Sequence, residues 1–242
     1  MPTVQPSRLW MRSSTWRALG NTYRVVEPGA EPLDSPRAAA LAEGTDGVLE
    51  ILARTSTTVR IAIWNADGSR AELSGNGTRI AAAWLAAQSG AREIDVGVGA
   101  LMVRTRIHED GEIEQELGDV TVGAQELADG IAFVPVSIGN PHAVVLGDPA
   151  EIGAIGPRLE THVRFPNRTN VQVARVDAPG EVTARVCERG VGETLSSGTS
   201  AVAVAAATHA DGDVIVHFPG GDLRVRLEHG RATLYGTAEQ VD

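Results

Sequence analysis

Residues 74–79 read Ser-Gly-Asn-Gly-Thr-Arg and lead into an alanine-rich stretch that ends at Ala87. A second such place occurs later, where residues 197–200 read Ser-Gly-Thr-Ser and lead into an alanine-rich stretch that ends at Ala207. The two serines are 123 positions apart in a chain of 242 residues, which is about half its length. A repeat at this spacing indicates that one unit has been duplicated within the chain.

Two further matches occur in the same order in each half. The motif Gly-Asn-x-x-x-Val-Val stands at residues 20–26 and again at residues 139–145. A β-branched apolar run precedes each Ser-Gly turn, at residues 59–64 and at residues 182–187. Because the matches are co-linear and nearly equally spaced, the sequence predicts two similar domains with a boundary between residues 118 and 130.

Short segments rich in valine and isoleucine predict many strands and few helices. Alanine favours a helix at residues 36–42, 77–87 and 200–209. The strand candidates are residues 23–27, 59–64, 93–98, 101–107, 131–138, 143–146, 171–176, 182–187, 214–218, 223–227 and 232–235. The last helix is almost entirely Ala and Val, so we expect it to be buried on all sides. The whole pattern is typical of an α+β protein.

The composition excludes several kinds of chemistry. All 21 basic residues are arginine, so no lysine is present for a Schiff base with pyridoxal phosphate or for a Walker-type phosphate loop. The single cysteine, Cys187, excludes an intramolecular disulfide, a zinc site built on several thiolates and a Cys-x-x-Cys redox motif. The six histidines show no metal-ligand spacing, so no metal is expected.

Charge and hydropathy narrow the class of ligand and the location. The formal net charge of −10 disfavours nucleic acid and anionic membranes, since both favour basic patches. No run of 18 apolar residues predicts a transmembrane helix, and residues 1–10 lack the apolar core of a signal peptide. We therefore expect a cytoplasmic protein whose partner is a small molecule.

The two Ser-Gly turns each precede a predicted helix, where unpaired backbone N–H groups and the helix dipole attract anions. Glycines in the turns leave room for a ligand to approach the backbone closely. Either turn taken alone is explained as well by a serine that caps its helix. Two equivalent turns in a duplicated chain instead indicate a shared ligand site in the cleft between the domains.

Polar residues in the loops indicate what such a ligand carries. Glu188 and Arg189 are adjacent opposite charges that suit the ammonium and carboxylate of an amino acid, or that form a surface ion pair. His142 is a candidate general base, although its place after Pro141 favours a turn. Three asparagines offer a donor and an acceptor, or serve as turn residues: Asn21, Asn140 and Asn170.

Five motifs in this chain resemble, in the same order, those of the diaminopimelate epimerases. They are residues 65–69 (Asn-Ala-Asp-Gly-Ser), residues 74–79, residues 139–142 (Gly-Asn-Pro-His), residues 165–171 (Phe-Pro-Asn-Arg-Thr-Asn-Val) and residues 188–194 (Glu-Arg-Gly-Val-Gly-Glu-Thr). The resemblance extends from about Trp16 to Glu239, nearly the whole chain. The residues before Trp16 look like an N-terminal extension.

The resemblance implies two pseudo-symmetric domains, each with a central helix wrapped by a mostly antiparallel sheet, here residues 1–125 and residues 126–242. It implies an isomerase that needs no cofactor and interconverts LL- and meso-diaminopimelate, on the bacterial route to lysine and peptidoglycan. It also implies a homodimer, with the active site of each chain in the cleft between its domains.

The resemblance carries site residues over one position at a time. Matches to substrate-binding groups are Asn21, Asn65, Gly75, Asn76, Asn140, Asn170, Glu188, Arg189, Gly198 and Thr199. The pairs that directly follow the two serines match groups that cradle the α-carboxylate. Glu188 and Arg189 match the pair near the α-carbon, His142 matches an active-site histidine, and Glu188 and His142 are therefore catalytic candidates. Gly47 stands where the family often has a polar residue, so one substrate contact is expected to be missing.

The departure from the family lies at Ser74 and Ser197. The family has cysteines there, one taking the α-proton and the other delivering a proton to the opposite face. These serines are the expected catalytic positions, yet a hydroxyl is a far weaker acid than a thiol and needs its own strong base. The sequence identifies no base dedicated to either serine, and Cys187 is expected to be a packing residue.

Three hypotheses remain open at this point. The chain can be an epimerase in which both cysteines have been replaced by serine, leaving substrate binding with weak or no turnover. It can be a Ser/Ser relative that isomerises another amino acid, of proline type or basic. It can also be a binding or regulatory protein that kept the pocket and lost catalysis. The distal asparagines favour a substrate with a second amino-acid head, as diaminopimelate has.

Overall fold

A computed structural model describes residues 12–28 and 32–242, so most of the expected N-terminal extension lies outside the described residues. The helices are α1 (Ser35–Leu41), α2 (Gly75–Ser89), α3 (Ile152–Glu160) and α4 (Gly198–Thr208), and a 3-10 turn, Pro149–Glu151, precedes α3. The strands are β1 (Ser13–Ala18), β2 (Asn21–Val26), β3 (Gly47–Arg54), β4 (Thr58–Asn65), β5 (Arg70–Ala71), β6 (Glu93–Val98), β7 (Leu101–Ile107), β8 (Ile113–Asp119), β9 (Thr121–Val122), β10 (Glu126–Ala128), β11 (Ile131–Ser137), β12 (Pro141–Leu146), β13 (Asn170–Ala178), β14 (Glu181–Glu188), β15 (Gly192–Thr194), β16 (Gly212–Phe218), β17 (Gly221–Glu228), β18 (Arg231–Gly236) and β19 (Glu239–Gln240).

The duplication seen in the motifs extends to the strand pairing. In the N-terminal half the strands pair in the order β1-β2-β3-β4-β6-β7-β8. In the C-terminal half the order is β11-β12-β13-β14-β16-β17-β18. Both series run antiparallel, parallel, antiparallel, parallel, antiparallel, antiparallel. The mostly antiparallel α+β fold expected from the sequence is thus confirmed.

Every parallel pair is joined by a helical crossover, as parallel strands require. Helix α1 connects β2 to β3, and α3 connects β12 to β13. Helix α2 connects β4 to β6, and α4 connects β14 to β16. Among the described residues no helix is both long and apolar enough to cross a lipid bilayer.

Helices α2 and α4 are the central elements of the two halves. The first five residues after Ser200, Ala201–Ala205, have no exposed surface, and they pack among strands of the C-terminal half. This confirms that an Ala/Val helix without a polar face is buried on all sides. Ile80 and Leu85 of α2 are equally buried and pack against strands of the N-terminal half. Separate smaller clusters lie under α1 and α3.

The two halves are joined through their last strands and by an exchange of their ends. Strand β8 pairs antiparallel with β18, so one hydrogen-bonded ladder runs from half to half. Strand β9 then pairs with β11, and the matching β19 pairs with β1. The boundary between residues 125 and 126 stays a prediction, and it falls directly before β10.

Some elements were not predicted from the sequence. Helix α3 contains Gly153, Gly156 and Pro157, which are poor helix formers, and tertiary packing overrides them. Packing requires the glycine at position 156, because a Cβ atom there would lie 2.6 Å from the Cβ atom of Cys187. Strand β3 reads Gly-Val-Leu-Glu-Ile-Leu-Ala-Arg, without the alternation that identifies a half-buried strand. Its buried Glu50 accepts a hydrogen bond from the Trp64 indole at 3.0 Å.

Candidate active site

The site lies where equivalent strands of both halves end. In the N-terminal half, β2, β3 and β4 pair Tyr23 with Gly47 and Gly47 with Asn65. In the C-terminal half, β12 and β13 pair His142 with Asn170 in the same way. The duplicated topology therefore brings two matching sets of strand ends to one place, which a single half could not do.

A cavity of about 590 Å³ opens between these strand ends and the two central helices. The lining includes these residues expected from the sequence: Asn21, Asn65, Ser74, Asn76, Asn140, Asn170, Glu188, Arg189, Ser197, Gly198 and Thr199. Gly75 and His142, also expected, are not part of the lining. Residues in the wall that the sequence did not single out include Tyr23, Asp46, Asp67, Arg70, Glu72 and Arg168.

Both serines stand at the N-termini of the central helices, with extended backbones. Ser74 is the N-cap of α2, and its Oγ accepts a hydrogen bond from the Gly77 N–H at 3.0 Å. Ser197 is the N-cap of α4, but its side chain makes no capping hydrogen bond. The positive ends of two helix dipoles therefore converge on the cavity, which suits a carboxylate. The two serines also differ, because only the side chain of Ser74 caps its own helix.

The helices touch through glycine. A Cβ atom on Gly75 would lie 2.9 Å from the Cα atom of Gly198. A Cβ atom on Gly198 would lie 2.9 Å from the Cα atom of Gly75 and 2.8 Å from Leu234 Cδ2. Only residues without a side chain allow this backbone contact. The expected role of Gly75 in the carboxylate cradle stays a prediction, but its position at the helix contact is a packing requirement.

Glu188 lies beside Ser197. Its carboxylate accepts a hydrogen bond from Thr194 Oγ1 at 2.6 Å, and the Ser197 hydroxyl lies near enough to favour the ionised carboxylate. Burial raises the pKa of Glu188 above its ordinary value, and the two hydroxyl donors oppose that shift. A carboxylate thus lies beside Ser197, although the sequence identified no base dedicated to this serine. Glu188 precedes Ser197 by nine positions in the sequence. The antiparallel pairing of β14 with β15 brings the chain back toward Glu188 before it reaches the serine.

Arg189 does not pair with its neighbour Glu188. Its guanidinium donates from Nη2 to Glu72 Oε2 at 3.0 Å, so the ion pair spans the cavity from one half to the other. The Arg189 backbone N–H donates to Asn170 Oδ1 at 3.0 Å, which holds the asparagine against the loop. The adjacent opposite charges in the sequence therefore serve two different contacts.

A buried polar network underlies the wall next to α2. Asn76 Nδ2 donates to Asn21 Oδ1 at 2.5 Å, and Arg79 Nη2 donates to Asn76 Oδ1 at 2.5 Å. Arg79 has no exposed surface, and its other donors reach Gln115 Oε1 and the Thr237 carbonyl. No carboxylate among the described residues pairs with it, and burial lowers its pKa to about 9. Arg79 is the last residue of the motif at residues 74–79, but the sequence alone assigned it no role. Its charge adds positive potential behind the cavity.

His142 lies beneath Asn140 and is 1% exposed. Gln172 Nε2 donates to its Nδ1 at 3.0 Å, so its Nε2–H donates to Asn140 Oδ1, also at 3.0 Å. Asn140 is thereby held with its amide nitrogen 3.5 Å from Thr199 Oγ1 in the wall. Burial lowers the pKa of His142 to about 3. A catalytic role for this ring stays a prediction, and the geometry favours a neutral ring that positions Asn140.

Cys187 also lies away from the cavity. It is 3% exposed and belongs to the apolar cluster under α3. Burial raises the pKa of its thiol to about 11. Among residues 12–28 and 32–242, no three His, Cys, Asp or Glu side chains converge as metal ligands do. The groups available for proton transfer in the wall are therefore hydroxyls and carboxylates.

Comparison with known proteins identifies the family. The sequence profile of the diaminopimelate epimerases matches residues 134–241. A diaminopimelate epimerase of Desulforudis audaxviator is 33% identical over an alignment of 270 positions, which covers 96% of this chain and 97% of that protein. Another, of Thermobifida fusca, is 37% identical over an alignment of 260 positions, which covers 94% of this chain and 95% of that protein. The chain belongs to the diaminopimelate epimerase family. It is therefore an isomerase of the diaminopimelate epimerase type, as the motifs predicted.

Solved structures confirm the fold of the family. A protein from Pseudomonas aeruginosa, described as a predicted epimerase, superposes with a TM-score of 0.76 at 18% identity, covering 96% of this chain and 98% of that one. A hydroxyproline epimerase from Agrobacterium vitis superposes with a TM-score of 0.71 at 13% identity, covering 95% and 89%. At these identities the likeness concerns the fold alone.

The charge state of the buried His142 can be tested through the pH dependence of stability. Because burial holds the folded-state pKa of His142 near 3, its contribution to stability is present above pH 6.5 and is lost as the pH falls below that value. Between pH 6.5 and 4.5 the wild type is expected to lose about 1.4 kcal/mol of unfolding free energy per pH unit more than His142→Gln. Urea unfolding at several pH values measures this difference. Equal slopes, or a ring that titrates near pH 6.5 by NMR, would contradict the neutral state.

Proposed function

We propose that this protein interconverts LL- and meso-diaminopimelate without a cofactor, and that Ser74 and Ser197 transfer the α-proton on opposite faces. The observation that carries the proposal is the convergence of both serines in one cavity at two helix N-termini, with the Glu188 carboxylate in the same wall beside Ser197. The proposal includes the cytoplasmic homodimer that the family resemblance implies.

The charges of the wall suit a substrate with two amino-acid heads. Four carboxylates line the cavity, from Asp46, Asp67, Glu72 and Glu188, together with three guanidiniums, from Arg70, Arg168 and Arg189. Diaminopimelate carries two ammonium and two carboxylate groups, so it needs partners of both signs at both ends. An amino acid of proline type has one head, so it offers this wall only half as many charged groups. This favours diaminopimelate over the other amino-acid substrates.

The acid–base chemistry is divided between the two faces. Ser197 removes the α-proton as its own hydroxyl proton passes to Glu188, and Ser74 delivers a hydroxyl proton to the opposite face. The converging helix N-termini stabilise the negative charge that develops on the α-carboxylate side. A serine hydroxyl is a weaker acid–base group than a tuned thiol, so we expect slow turnover. A carboxylate beside Ser197 favours this slow enzyme over a protein that only binds.

Exchange of the α-proton tests the proposal. The protein is incubated with LL-diaminopimelate in D2O, and loss of the α-proton signal is followed by NMR. We expect loss faster than in a protein-free control, and a decrease of about 10²-fold or more in Glu188→Gln, since a positioned base contributes about that much. Binding without exchange would contradict the proposal and favour a ligand-binding protein.

Arg189 provides a separate prediction about binding. Arg189→Ala is expected to weaken diaminopimelate binding about ten- to hundredfold, because a charge-assisted hydrogen bond to the substrate is lost. Calorimetry measures the affinity. The matched control is Arg185→Ala, which removes a guanidinium that pairs with Glu193 outside the cavity. Equal affinity of both variants and the wild type would remove Arg189 from the site.

A further inference from the structure

Tyr23 occupies a special position in the duplicated fold. It is the fourth residue of the N-terminal Gly-Asn-x-x segment, and His142 is the fourth residue of the matching C-terminal segment. The pairing with the next parallel strand is also equivalent, since Tyr23 pairs with Gly47 and His142 with Asn170. One half therefore presents an imidazole at this position and the other a phenol. Only the phenol belongs to the cavity wall.

The phenol reaches the serine of its own half. Tyr23 Oη lies 3.4 Å from Ser74 Oγ, and the tyrosine is 8% exposed. A hydroxyl has one proton to donate and two lone pairs to accept with. One lone pair of Ser74 Oγ already accepts from the Gly77 N–H. If the phenol donates to the other lone pair, the Ser74 proton is left to face the cavity.

Gly47 leaves the space that the ring needs. A Cβ atom at position 47 would lie 2.9 Å from Tyr23 Cε1 and 2.2 Å from the carbonyl oxygen of Trp64. A polar side chain at this position, as the family resemblance leads one to expect, cannot coexist with this placement of the phenol. The substrate contact expected to be missing is the one at position 47. The Tyr23 ring, which carries a hydroxyl, occupies the space beside that position.

The surroundings keep the phenol protonated. Burial raises the pKa of Tyr23 above its ordinary value, the hydrogen bond with Ser74 opposes that shift, and the nearby negative charges of Glu188 and Asp46 add to it. At neutral pH the group is therefore a hydrogen-bond donor. The carboxylate at Ser197 and the phenol at Ser74 make the two faces of the site chemically unlike.

We propose that Tyr23 is the positioning residue of Ser74 and restores its proton during the reaction. This inference rests on the proposed function. As the Ser74 O–H bond breaks, its proton joins the electron pair on the α-carbon to form the new C–H bond. The Tyr23 O–H bond breaks in turn, its proton passes to Ser74 Oγ, and a phenolate remains. On the other face Ser197 then carries the α-proton, and Glu188 holds the former Ser197 hydroxyl proton. These protons and the phenolate exchange with water, and the reverse direction starts from the opposite protonation states.

The first test compares exchange with inversion. Tyr23→Phe removes one oxygen, and the matched control Tyr235→Phe removes the same atom from the other tyrosine, which stacks on Arg224 outside the cavity. In D2O, Tyr23→Phe is expected to lower inversion at least about tenfold. Exchange without inversion should persist, within about threefold, for the diastereomer whose α-proton faces Ser197. Equal loss of exchange and inversion for both diastereomers would indicate a structural role and overturn the proposal.

The second test does not depend on turnover. Ser74→Cys introduces a thiol whose ionisation reports on its neighbours, and the native Cys187 is buried and 3% exposed. Adding Tyr23→Phe should raise the pKa of the introduced thiol by about one unit, because a hydrogen bond to the thiolate is lost. The pH profile of alkylation measures this shift. Adding Tyr23→Phe to Ser197→Cys should leave the alkylation rate within about twofold at each pH.

The two tests separate the two possible failures. A wild type that binds diaminopimelate but never exchanges its α-proton contradicts the proposed function, and the thiol pKa then still decides whether Tyr23 acts on position 74. The role of Tyr23 is overturned if adding Tyr23→Phe leaves the thiol pKa of Ser74→Cys unchanged, or if it shifts the thiol pKa of Ser197→Cys equally. This holds even if the wild type is an active epimerase.

Discussion

Replacing both Ser74 and Ser197 with cysteine is expected to raise the rate of α-carbon inversion about 10²- to 10⁴-fold, the usual contribution of a well-matched acid–base group. A thiol titrates near pH 8.5 and is lowered further at a helix N-terminus, whereas a serine hydroxyl does not ionise near neutral pH. Both positions are N-caps with extended backbones, so the thiols enter the same places as the hydroxyls. The assay measures inversion of LL-diaminopimelate by NMR or by chiral chromatography.

Single and distant variants are the controls for this gain. Ser74→Cys or Ser197→Cys alone supplies a thiol on only one face and should raise inversion far less than the pair. Ser89→Cys places an exposed thiol at the other end of α2 and should leave the rate unchanged. A double variant that binds diaminopimelate but inverts it no faster than the wild type would show that positions 74 and 197 are not the proton-transfer positions.

Gly198→Ala is expected to have the largest effect on stability, with loss of α-proton exchange as a consequence. The added methyl group would meet the Gly75 backbone at 2.9 Å and Leu234 Cδ2 at 2.8 Å, so α2 and α4 must move apart. Overpacking of this kind costs about 1–3 kcal/mol, which lowers the Tm of a domain of this size by about 2–12 °C. Exchange should fall further than stability because the separated helix N-termini no longer converge on one carboxylate. Thermal unfolding and the D2O assay measure the two effects.

A second glycine in a helix provides the matched control. Gly153 lies in α3 with no atom within 4 Å of the place where a Cβ atom would stand. Gly153→Ala should therefore raise the free energy of unfolding by up to about 1 kcal/mol, because alanine loses less backbone entropy on folding. If Gly198→Ala leaves the Tm at or above the wild-type value, the contact between the two central helices is looser than described.

The candidate site could be predicted in large part where local pattern defines it. The two Ser-Gly turns, the asparagines at the strand ends and the Glu188-Arg189 loop were all identified, and eleven of those residues line one cavity. The partners of these residues were not predicted. Arg189 pairs with Glu72, which is 117 positions away in the sequence, and nothing in either local segment specifies that contact. Tyr23 was missed because a single tyrosine in a strand is usually a packing residue.

The sequence by itself determined the duplication, the α+β class, the fully buried last helix and the two serines at helix N-termini. Each of these follows from repeat spacing, residue periodicity or intrinsic propensity, which act over a few residues. Only the tertiary structure decided the contacts of the site: Glu188 against Ser197, Tyr23 against Ser74, and glycine against glycine between the central helices. These depend on which strands pair and in which register, and the register is set by burial across the whole sheet rather than by neighbours in the chain.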